Sequence, residues 1–483
     1  MFGGIMPFSL SIGRVRRMIE WRGIESTRGA ERAGRASSHF WLWSAANVSP
    51  FVISAGVLVM VLGFSWVGAT VAILVGVIIS YPLVGLVAIT GLRGGAPALT
   101  LSRAAFGYRG NMLPTLLAYI YCIGWESVAL FLAASATKAL VCRIFPNANS
   151  AFLLVIGLTI TGTVTFFVTL YGYQIILRAQ RWITIALAFA TAGYFFVALP
   201  KIWPLEAMPS APGAPPLLAG ISFVAAAGGL SWVVMGGDYS RYLPGDSKPC
   251  AVAGWTALGG GMTAVALLLF GVLIGAGRPD IVAEVAVDPL GALTLLLPTW
   301  FCVPFLVATI AALVGSGVVN LYSSGLNLLA LGVKLPRPTT IIFDAVLVVL
   351  GASYLLFLSP GFFGTFESFL AILGVPLAAW CSIFLVDFYL HRGAGYTPSD
   401  IYPKEGEGSG FGYAGVFSLL LGTGLGLVFN YNPEGIIQSV LSDMLAEGIL
   451  ETVTSSKVGI FVSFFIGAAM YAILSKHRVL SIA

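Results

Sequence analysis

The sequence predicts an all-α membrane protein with twelve transmembrane helices. Hydrophobic residues make up 58% of its 483 residues and charged residues only 9%, whereas a typical soluble domain is about 25% charged. The apolar segments are also long, and a helix needs about 20 residues to cross the hydrocarbon core of a bilayer. No segment large enough for a water-soluble domain remains outside them.

Twelve apolar segments of helical length follow one another along the chain. We number them spans 1 to 12, at 40–62, 68–92, 111–142, 151–171, 178–200, 217–236, 251–276, 297–330, 339–358, 366–390, 411–430 and 457–475. Residues 1–39 are basic and polar without an apolar core, which indicates a cytoplasmic tail rather than a cleavable signal peptide. A core of spans 1–10 then occupies residues 40–392, and spans 11 and 12 with the C-terminus occupy 393–483.

The basic residues predict that both termini face the cytoplasm. The tail and every second loop carry arginine or lysine, as at Arg93, Arg103 and Arg241, whereas the other loops hold most acids, such as Asp280 and Glu434. Positive charge marks cytoplasmic loops, and an even number of spans returns the chain to its starting side. We interpret the tail as a topology determinant and expect no nucleic-acid partner.

The chain lacks the residue patterns of an enzyme or a metal site. Its five cysteines are scattered without metal-ligand spacing, and none of its three histidines lies within a predicted span. It has no glycine-rich phosphate loop next to a lysine and no nucleophile elbow. We therefore predict no catalytic residue, no cofactor and no metal ligand.

Span 6 is broken near its middle by Gly228-Gly229. Glycine lowers helix propensity by about 1 kcal/mol, and a broken helix frees backbone N–H and C=O groups that lipid cannot satisfy. The break should therefore line a protein-enclosed cavity, as the binding sites of secondary transporters do. Gly228, Gly229 and the nearby Trp232 are candidate site residues. Asp238 and Arg241 close the span on its cytoplasmic side as a candidate gate or fixed ion pair.

Span 1 contains a second break, at Pro50. Proline has no N–H, so the carbonyl of Ala46 loses its helical partner and becomes a candidate ion ligand; Asn47 and Ser49 lie beside the gap. Two inverted five-helix repeats would place breaks at corresponding points of spans 1 and 6, with spans 11 and 12 as an appendage. The alternative is that the proline only kinks a helix and the glycine pair only allows close packing.

Spans 3 and 8 each carry a polar stripe at helical spacing. The stripe of span 3 consists of Thr115, Tyr119, Cys122 and Glu126, and that of span 8 of Ser316, Asn320, Ser323 or Ser324, and Asn327. An ionisable group at bilayer depth is by default a functional candidate, so Glu126 is a candidate proton carrier. The amide of Asn320 both donates and accepts hydrogen bonds. Either stripe could instead join helices.

Four aromatic residues near the breaks and the span 3 stripe are candidates to stack on a planar ligand. They are Phe51, Trp125, Phe223 and Trp232. The alternative for each is helix packing or an interfacial position.

Five segments, taken together and in order, resemble the nucleobase:cation symporter-1 family, especially its purine–cytosine permease branch. They are SRAAFGYRGN at 102–111, GW at 124–125, DYSRYLP at 238–244, NLYSSGL at 320–326 and DFYL at 387–390. The pattern extends over residues 40–392, and its order and spacing make it specific, whereas any one segment alone would be weak.

The resemblance implies a twelve-helix transporter of five-plus-five inverted repeats with broken helices 1 and 6. It implies import of a nucleobase or related heterocycle with a cation by alternating access. In such proteins the tryptophan of the Gly-Trp pair stacks on the substrate, and the span 8 asparagine binds the ring edge. These roles map onto Trp125 and Asn320, and the rest of the pocket maps onto 47–51 and 228–232.

The chain departs from the family pattern at two places. Ala129 stands where family members often carry an amide. We therefore expect either that the substrate preference differs or that Glu126 takes the place of this amide. Val314 and Gly315 stand where sodium-using members carry paired hydroxyls, and hard cations require a full shell of oxygen ligands. We therefore expect coupling to protons, with Glu126 or Asp238 as the carrier.

The sequence thus predicts a multi-pass importer of a purine, cytosine or similar heterocycle in a plasma or bacterial inner membrane. Its expected partners are the substrate, a proton or alternatively sodium, and the lipid bilayer. An amino-acid or amine transporter of the same fold stays open, as does a non-transporting sensor or intramembrane enzyme.

Overall fold

The computed structural model describes residues 24–27, 31–170, 173–205, 210, 216–333, 335–359, 361–393, 395–402, 410–430 and 457–476. Most of the predicted tail at 1–39 and the acidic loop that contains Glu434 lie outside the described residues. The described residues form helices and connecting turns and contain no β-strand. The prediction of an all-α membrane protein is confirmed.

Ten helices in the described part of the chain are long and apolar enough to cross a membrane. They are Trp66–Gly94, Met112–Ile144, Ser150–Leu170, Trp182–Ile202 (the apolar part of Tyr173–Ile202), Leu217–Ser240, Pro249–Gly277, Thr299–Ala330, Pro338–Phe357 (within Arg337–Phe357), Phe362–His391 and Tyr413–Asn430. They correspond to spans 2 to 11. The bent pair Ser38–Asn47 and Pro50–Val61 forms span 1.

The last described helix, Gly459–Leu474, has 16 residues and is shorter than the 20 or so that an untilted span requires. The count of twelve transmembrane helices therefore stays a prediction. Five short helices connect the spans within the described residues: Ala98–Leu101, Arg103–Phe106, Pro279–Val287, Pro289–Thr294 and Pro398–Ile401.

Span 1 is bent by 60° between its two helices. Pro50 begins the second helix at a position where its missing N–H costs nothing, and the Ser49 hydroxyl caps that helix by accepting from the Phe51 N–H at 3.2 Å. At the end of the first helix, the Asn47 amide donates to the Trp43 carbonyl at 2.9 Å. The predicted break at Pro50 is confirmed.

Span 6 is interrupted at Gly228, whose φ of −96° and ψ of −118° lie outside the helical region. The helix Leu217–Ala227 ends there, and the span continues in three short pieces: Gly229–Trp232, the 3₁₀ turn Val233–Met235 and Gly236–Ser240. A Cβ at Gly229 would overlap the backbone of Ser80 and Tyr81 in span 2. The glycine pair thus serves both predicted roles, since Gly228 interrupts the helix and Gly229 permits close packing.

The spans pack in groups, and both broken spans belong to the same group. Spans 1, 2, 6 and 7 pack on one another, as do spans 3, 4, 8 and 9, whereas span 10 packs with span 11 and the helix Gly459–Leu474. Each of the first two groups contains spans that are five apart in the chain, as two five-helix repeats would give. The inverted repeat itself stays a prediction.

A close crossing that can be tested lies between span 7 and the second half of span 1. A Cβ at Gly271 would overlap the Ile53 carbonyl oxygen and lie 2.9 Å from the Gly56 Cα. We expect Gly271→Ala to lower the Tm of the detergent-purified protein, although alanine is favoured over glycine within a helix by about 1 kcal/mol.

Gly254→Ala is the matched control for this prediction, because Gly254 lies in the same helix and its added Cβ would meet nothing within 4 Å. We expect an unchanged or raised Tm for that control. A Gly271→Ala variant as stable as the wild type would contradict the close crossing.

Candidate functional site

The two breaks face one cavity, which we call the central cavity. Spans 1, 2, 3, 6, 7 and 8 supply its walls. Most of the predicted site residues line it: Ala46, Asn47, Ser49, Phe51, Trp125, Gly228, Trp232 and Asn320. Among the described residues that line this cavity, none carries a charged side chain. The arrangement suits a small, largely apolar ligand with a few polar groups.

Trp125 lies at the centre of an aromatic cluster on one side of the central cavity. Its ring is edge-on to those of Phe51, Phe366, Phe369 and Tyr121, at centroid distances of 6.4, 5.4, 6.2 and 6.3 Å. Its indole N–H is buried and forms no hydrogen bond of ordinary geometry within the described residues, although the Tyr121 hydroxyl is close enough to interact with it. A buried donor without a partner is costly, so a ligand carbonyl or ring nitrogen placed there would gain this hydrogen bond.

The sequence analysis missed the contribution of span 10 to this cluster. Phe362 and Phe366 stack at 5.3 Å, and Phe362 also stacks on Phe131 of span 3 at 5.1 Å. The spacing of 362, 366 and 369 puts these phenylalanines on one helix face. That spacing is the feature of the sequence that could have indicated an aromatic face on span 10.

The asparagines of the two opposing walls have different surroundings. Asn47 is fully engaged, because it donates to the Trp43 carbonyl and its Oδ1 accepts from the Tyr81 hydroxyl at 2.5 Å. Asn320 is 5% exposed, and its amide forms no hydrogen bond within the described part of the protein. Asn47 therefore fixes the shape of the break, whereas Asn320 retains its capacity to bind a ligand.

Several other residues of the span 3 and span 8 stripes bind each other or residues of spans 6 and 9. Asn327 donates to the Cys122 sulfur at 3.4 Å. Tyr119 and Ser324 both donate to the Asp344 carboxylate, at 2.5 and 3.0 Å. The alternative that a stripe joins helices therefore holds for these residues, and Ser316 and Asn320 are the span 8 stripe residues at the central cavity.

Glu126, Asp238 and Gly229 do not line the central cavity. Glu126 is 2% exposed and lines a separate side cavity between spans 3, 4, 8 and 9. The Asp238 carboxylate instead joins elements at the end of span 6, accepting from the Ala98 N–H at 3.2 Å and from the Ser323 hydroxyl at 3.3 Å. In this conformation neither acid is placed to touch a ligand in the central cavity.

Asp344 was not singled out from the sequence. It is the only charged residue of the predicted span 9, and in the structure its side chain is fully buried. An acidic residue surrounded by apolar residues within a span is the feature of the sequence that could have identified Asp344 as a candidate. Its position near the start of the span made it resemble an interfacial residue.

A third, small cavity lies where the span 1 break meets spans 5 and 8. Ala46, Ser49, Thr184 and Ser316 are among its lining residues. Ser316 lies one turn before Asn320 and, like Ala46, lines both this cavity and the central cavity. Val314 and Gly315 replace the paired hydroxyls of sodium-using family members, but Ser316 still supplies one span 8 hydroxyl beside the break.

Comparisons with known proteins agree with this architecture. The family model described as permease for cytosine/purines, uracil, thiamine, allantoin matches residues 27–447. The putative purine-cytosine permease YxlA of Bacillus subtilis (strain 168) is 26% identical over 399 residues, which cover 80% of this chain and 83% of that protein.

Solved structures of similar fold include Mhp1, a nucleobase-cation-symport-1 family transporter. Its closed conformation with bromovinylhydantoin bound has a TM-score of 0.71 at 18% identity, covering 95% of this chain and 96% of Mhp1. Its inward-facing conformation has a TM-score of 0.67 with the same identity and coverage.

The family model spans both broken helices and every residue that lines the central cavity. The match extends well beyond half of the chain, and the fold is that of Mhp1. The chain therefore belongs to the family of permeases for cytosine/purines, uracil, thiamine and allantoin within the nucleobase:cation symporters, and it is a membrane transporter rather than an enzyme.

Proposed function

We propose that this permease imports a nucleobase or a related flat heterocycle together with a proton, by alternating access. The observation that carries the proposal is the central cavity itself. It joins both helix breaks to the Trp125 indole and the Asn320 amide, and the buried indole N–H forms no hydrogen bond of ordinary geometry within the described part of the chain. Mhp1, which shares the fold, has bromovinylhydantoin bound.

The chemistry of the cavity fits a planar ring with polar edges. Trp125 offers aromatic surface for stacking and an indole donor, and Asn320 offers both a donor and an acceptor. The remaining wall is mainly aliphatic and aromatic, including Phe51, Phe223 and Leu268. A nucleobase would bury its faces against these side chains and pair its edge with the amide.

The breaks offer little for the carboxylate of an amino acid. In transporters that bind amino acids, free N–H groups at the half-helix N-termini receive that carboxylate. Here the Phe51 N–H is bound to the Ser49 hydroxyl at 3.2 Å, and the Gly229 N–H to the Ser80 hydroxyl at 3.2 Å. This engagement favours the heterocycle over the amino-acid or amine alternative.

Sodium coupling is the second candidate, and the third cavity is the observation that favours it. Ala46, Ser49 and Ser316 line that cavity and could offer it a carbonyl and two hydroxyls. A hard cation requires a full oxygen shell, whereas the Ser49 hydroxyl already caps a helix. Buried carboxylates elsewhere in the protein favour the proton.

The described part of the N-terminal tail supports a cytoplasmic N-terminus. Thr27 binds the carbonyl oxygens of Gly95 and Arg241 at 3.1 and 2.8 Å. It therefore lies at the end of spans 2 and 6 where Arg93 and Arg241 are found, and basic residues mark the cytoplasmic side. A location in the plasma or bacterial inner membrane remains part of this proposal.

Trp125→Ala is expected to weaken binding of the transported base at least tenfold. Loss of a stacked aromatic surface and of one hydrogen bond removes about 1.5 kcal/mol or more, and 1.4 kcal/mol is a factor of ten. Uptake of radiolabelled adenine, cytosine and uracil by proteoliposomes measures the effect.

Trp182→Ala is the control for this variant, because Trp182 is 70% exposed and does not line the central cavity. Uptake by Trp125→Ala equal to that of the wild type and of Trp182→Ala would remove the stacking role.

Asn320→Ala is expected to weaken binding by about 5- to 150-fold, the range that corresponds to 1–3 kcal/mol for a polar ligand group left unpaired. The effect should be largest for the base that is transported best and smaller for bases that bind weakly. Competition binding to the purified protein checks this, with the exposed Asn147→Ala as the control. An equal affinity of Asn320→Ala and wild type for all bases would contradict the assignment.

The coupled ion is expected to be the proton. Wild-type proteoliposomes should accumulate the base when an inward proton gradient is applied in sodium-free buffer. An inward sodium gradient at equal pH on both sides should give no accumulation. The reverse pattern would identify the third cavity as the better candidate for the ion site.

A further inference from the structure

Two buried carboxyl groups outside the central cavity, those of Glu126 and Asp344, are close enough to act on each other electrostatically. We propose that Glu126 of span 3 and Asp344 of span 9 form the site of the coupled proton, with Glu126 as the group that takes the proton. This proposal rests on the proposed function and deepens it, since it moves the ion site away from the helix breaks and assigns a role to Asp344.

Glu126 is the member of the pair that is free to take the proton. It is 2% exposed, and neither of its carboxylate oxygens forms a hydrogen bond of ordinary geometry within the described part of the chain, although the Ser324 hydroxyl is close enough to act on it. The side cavity around it is lined mainly by aliphatic and aromatic side chains, such as Leu130, Phe166 and Val348. An unpaired charge in such surroundings is costly. A bound proton would neutralise the Glu126 carboxylate, which no cationic side chain among the described residues does.

Asp344 is the fixed member of the pair. Its Oδ1 accepts from the Tyr119 hydroxyl at 2.5 Å and its Oδ2 from the Ser324 hydroxyl at 3.0 Å. These donated hydrogen bonds orient the carboxylate and stabilise its negative charge. Asp344 is also close enough to Glu126 to act on it electrostatically. Two like charges at such a site repel each other, and protonation of Glu126 removes the repulsion.

The titratable groups around the pair include no cation. Besides the two acids themselves, Tyr119 and Cys122 of span 3 are the titratable groups next to the pair. Asp238 of span 6 acts on Cys122 from further away. Span 8 contributes neutral polar groups, and span 4 contributes the Thr165 hydroxyl. No Lys, Arg or His among the described residues acts on Glu126. Neutralisation therefore has to come from a bound ion.

A proton fits this site better than a metal cation. The side cavity offers the Glu126 carboxylate and the single hydroxyl of Thr165, and its other described lining residues are glycines or apolar. Sodium, like other hard cations, requires several oxygen ligands. The described residues also contain no group of three or more His, Cys, Asp or Glu placed to hold a metal ion.

The pair is connected to the central cavity through span 3. Glu126 follows Trp125 directly, so one helix presents the indole to the ligand and the carboxyl to the side cavity. Ala129 and Leu313 line both cavities. The Ser127 hydroxyl lies 3.3 Å from the Val348 carbonyl and binds span 3 to span 9. A change in packing between these spans on protonation would therefore reach the ligand.

Two adjacent serines connect the pair to the end of span 6. Ser324 binds Asp344, and its neighbour Ser323 binds Asp238 at 3.3 Å. Asp238 lies at the end of span 6 that we expect to be cytoplasmic. These hydroxyls provide a polar route by which the proton leaves the pair on the inner side, after it has entered from the outer side with the substrate.

The test compares proton-driven accumulation with exchange in the same proteoliposomes. Wild type, Glu126→Gln and Asp344→Asn are reconstituted, and radiolabelled cytosine, or adenine where cytosine is not taken up, is the probe. We expect both variants to lose at least tenfold in accumulation under an inward proton gradient. Counterflow exchange at equal pH, which needs no net proton movement, should stay within threefold of the wild type.

Glu284→Gln is the matched control, because Glu284 is an exposed residue of the loop helix Pro279–Val287. It should equal the wild type in both assays. Accumulation by Glu126→Gln that equals the wild type would overturn the proposal while leaving the proposed function intact. Loss of exchange as well as accumulation in both variants would also overturn it, since the carboxyl groups would then serve the folded structure.

A wild-type protein that accumulates neither base under any gradient would overturn the proposed function, and this proposal with it. Accumulation driven by a sodium gradient alone would overturn the proton site but keep the heterocycle as substrate. The two failures are therefore distinguishable.

Discussion

The structure depends on the need to satisfy backbone groups inside the bilayer where two helices are broken. Lipid cannot bind the freed N–H and C=O groups, so neighbouring side chains must. Span 2 serves both breaks with adjacent residues: the Ser80 hydroxyl receives the Gly229 N–H, and the Tyr81 hydroxyl binds the Asn47 amide. Span 2 can approach the break in span 6 this closely because Gly229 has no Cβ. The breaks can therefore persist at bilayer depth and enclose a cavity.

Because the breaks are satisfied internally, few polar groups of the cavity remain for a ligand. The Trp125 indole N–H and the Asn320 amide are the clearest of these among the described residues. The polar stripes of spans 3 and 8 are divided in the same way, with Ser316 and Asn320 at the central cavity and the residues further along bound to each other and to Asp344. Recognition and helix association thus use different positions of the same helices.

Much of this could be predicted from the sequence, because hydrophobic length and the positions of proline and glycine are local properties. They locate the spans to within a few residues and identify both breaks, and the family resemblance brings Trp125 and Asn320 to one cavity. The direction of Glu126 was harder to assign. Adjacent residues on an α-helix lie about 100° apart, so Glu126 cannot easily share the cavity that its neighbour Trp125 lines.

The missed residues depend on helix rotation and on pairing between distant spans. Ser80 and Tyr81 look like ordinary small and aromatic residues of an apolar helix until the two breaks are placed against them. Asp344 looks interfacial until Tyr119 and Ser324 are found at its carboxylate. Phe362 and Phe366 join the Trp125 cluster only because span 10 packs on span 3. A single sequence shows the periodicity of each helix, but it does not show how that helix is rotated relative to the helices on which it packs.

The central claim is that a flat heterocycle binds between the two breaks. A cryo-EM structure of the protein with its transported base tests it most directly. The account predicts ring density in the central cavity, with a face against Trp125 and an edge within hydrogen-bond distance of Asn320. Density for the base at any other place, with the central cavity unchanged, would contradict it.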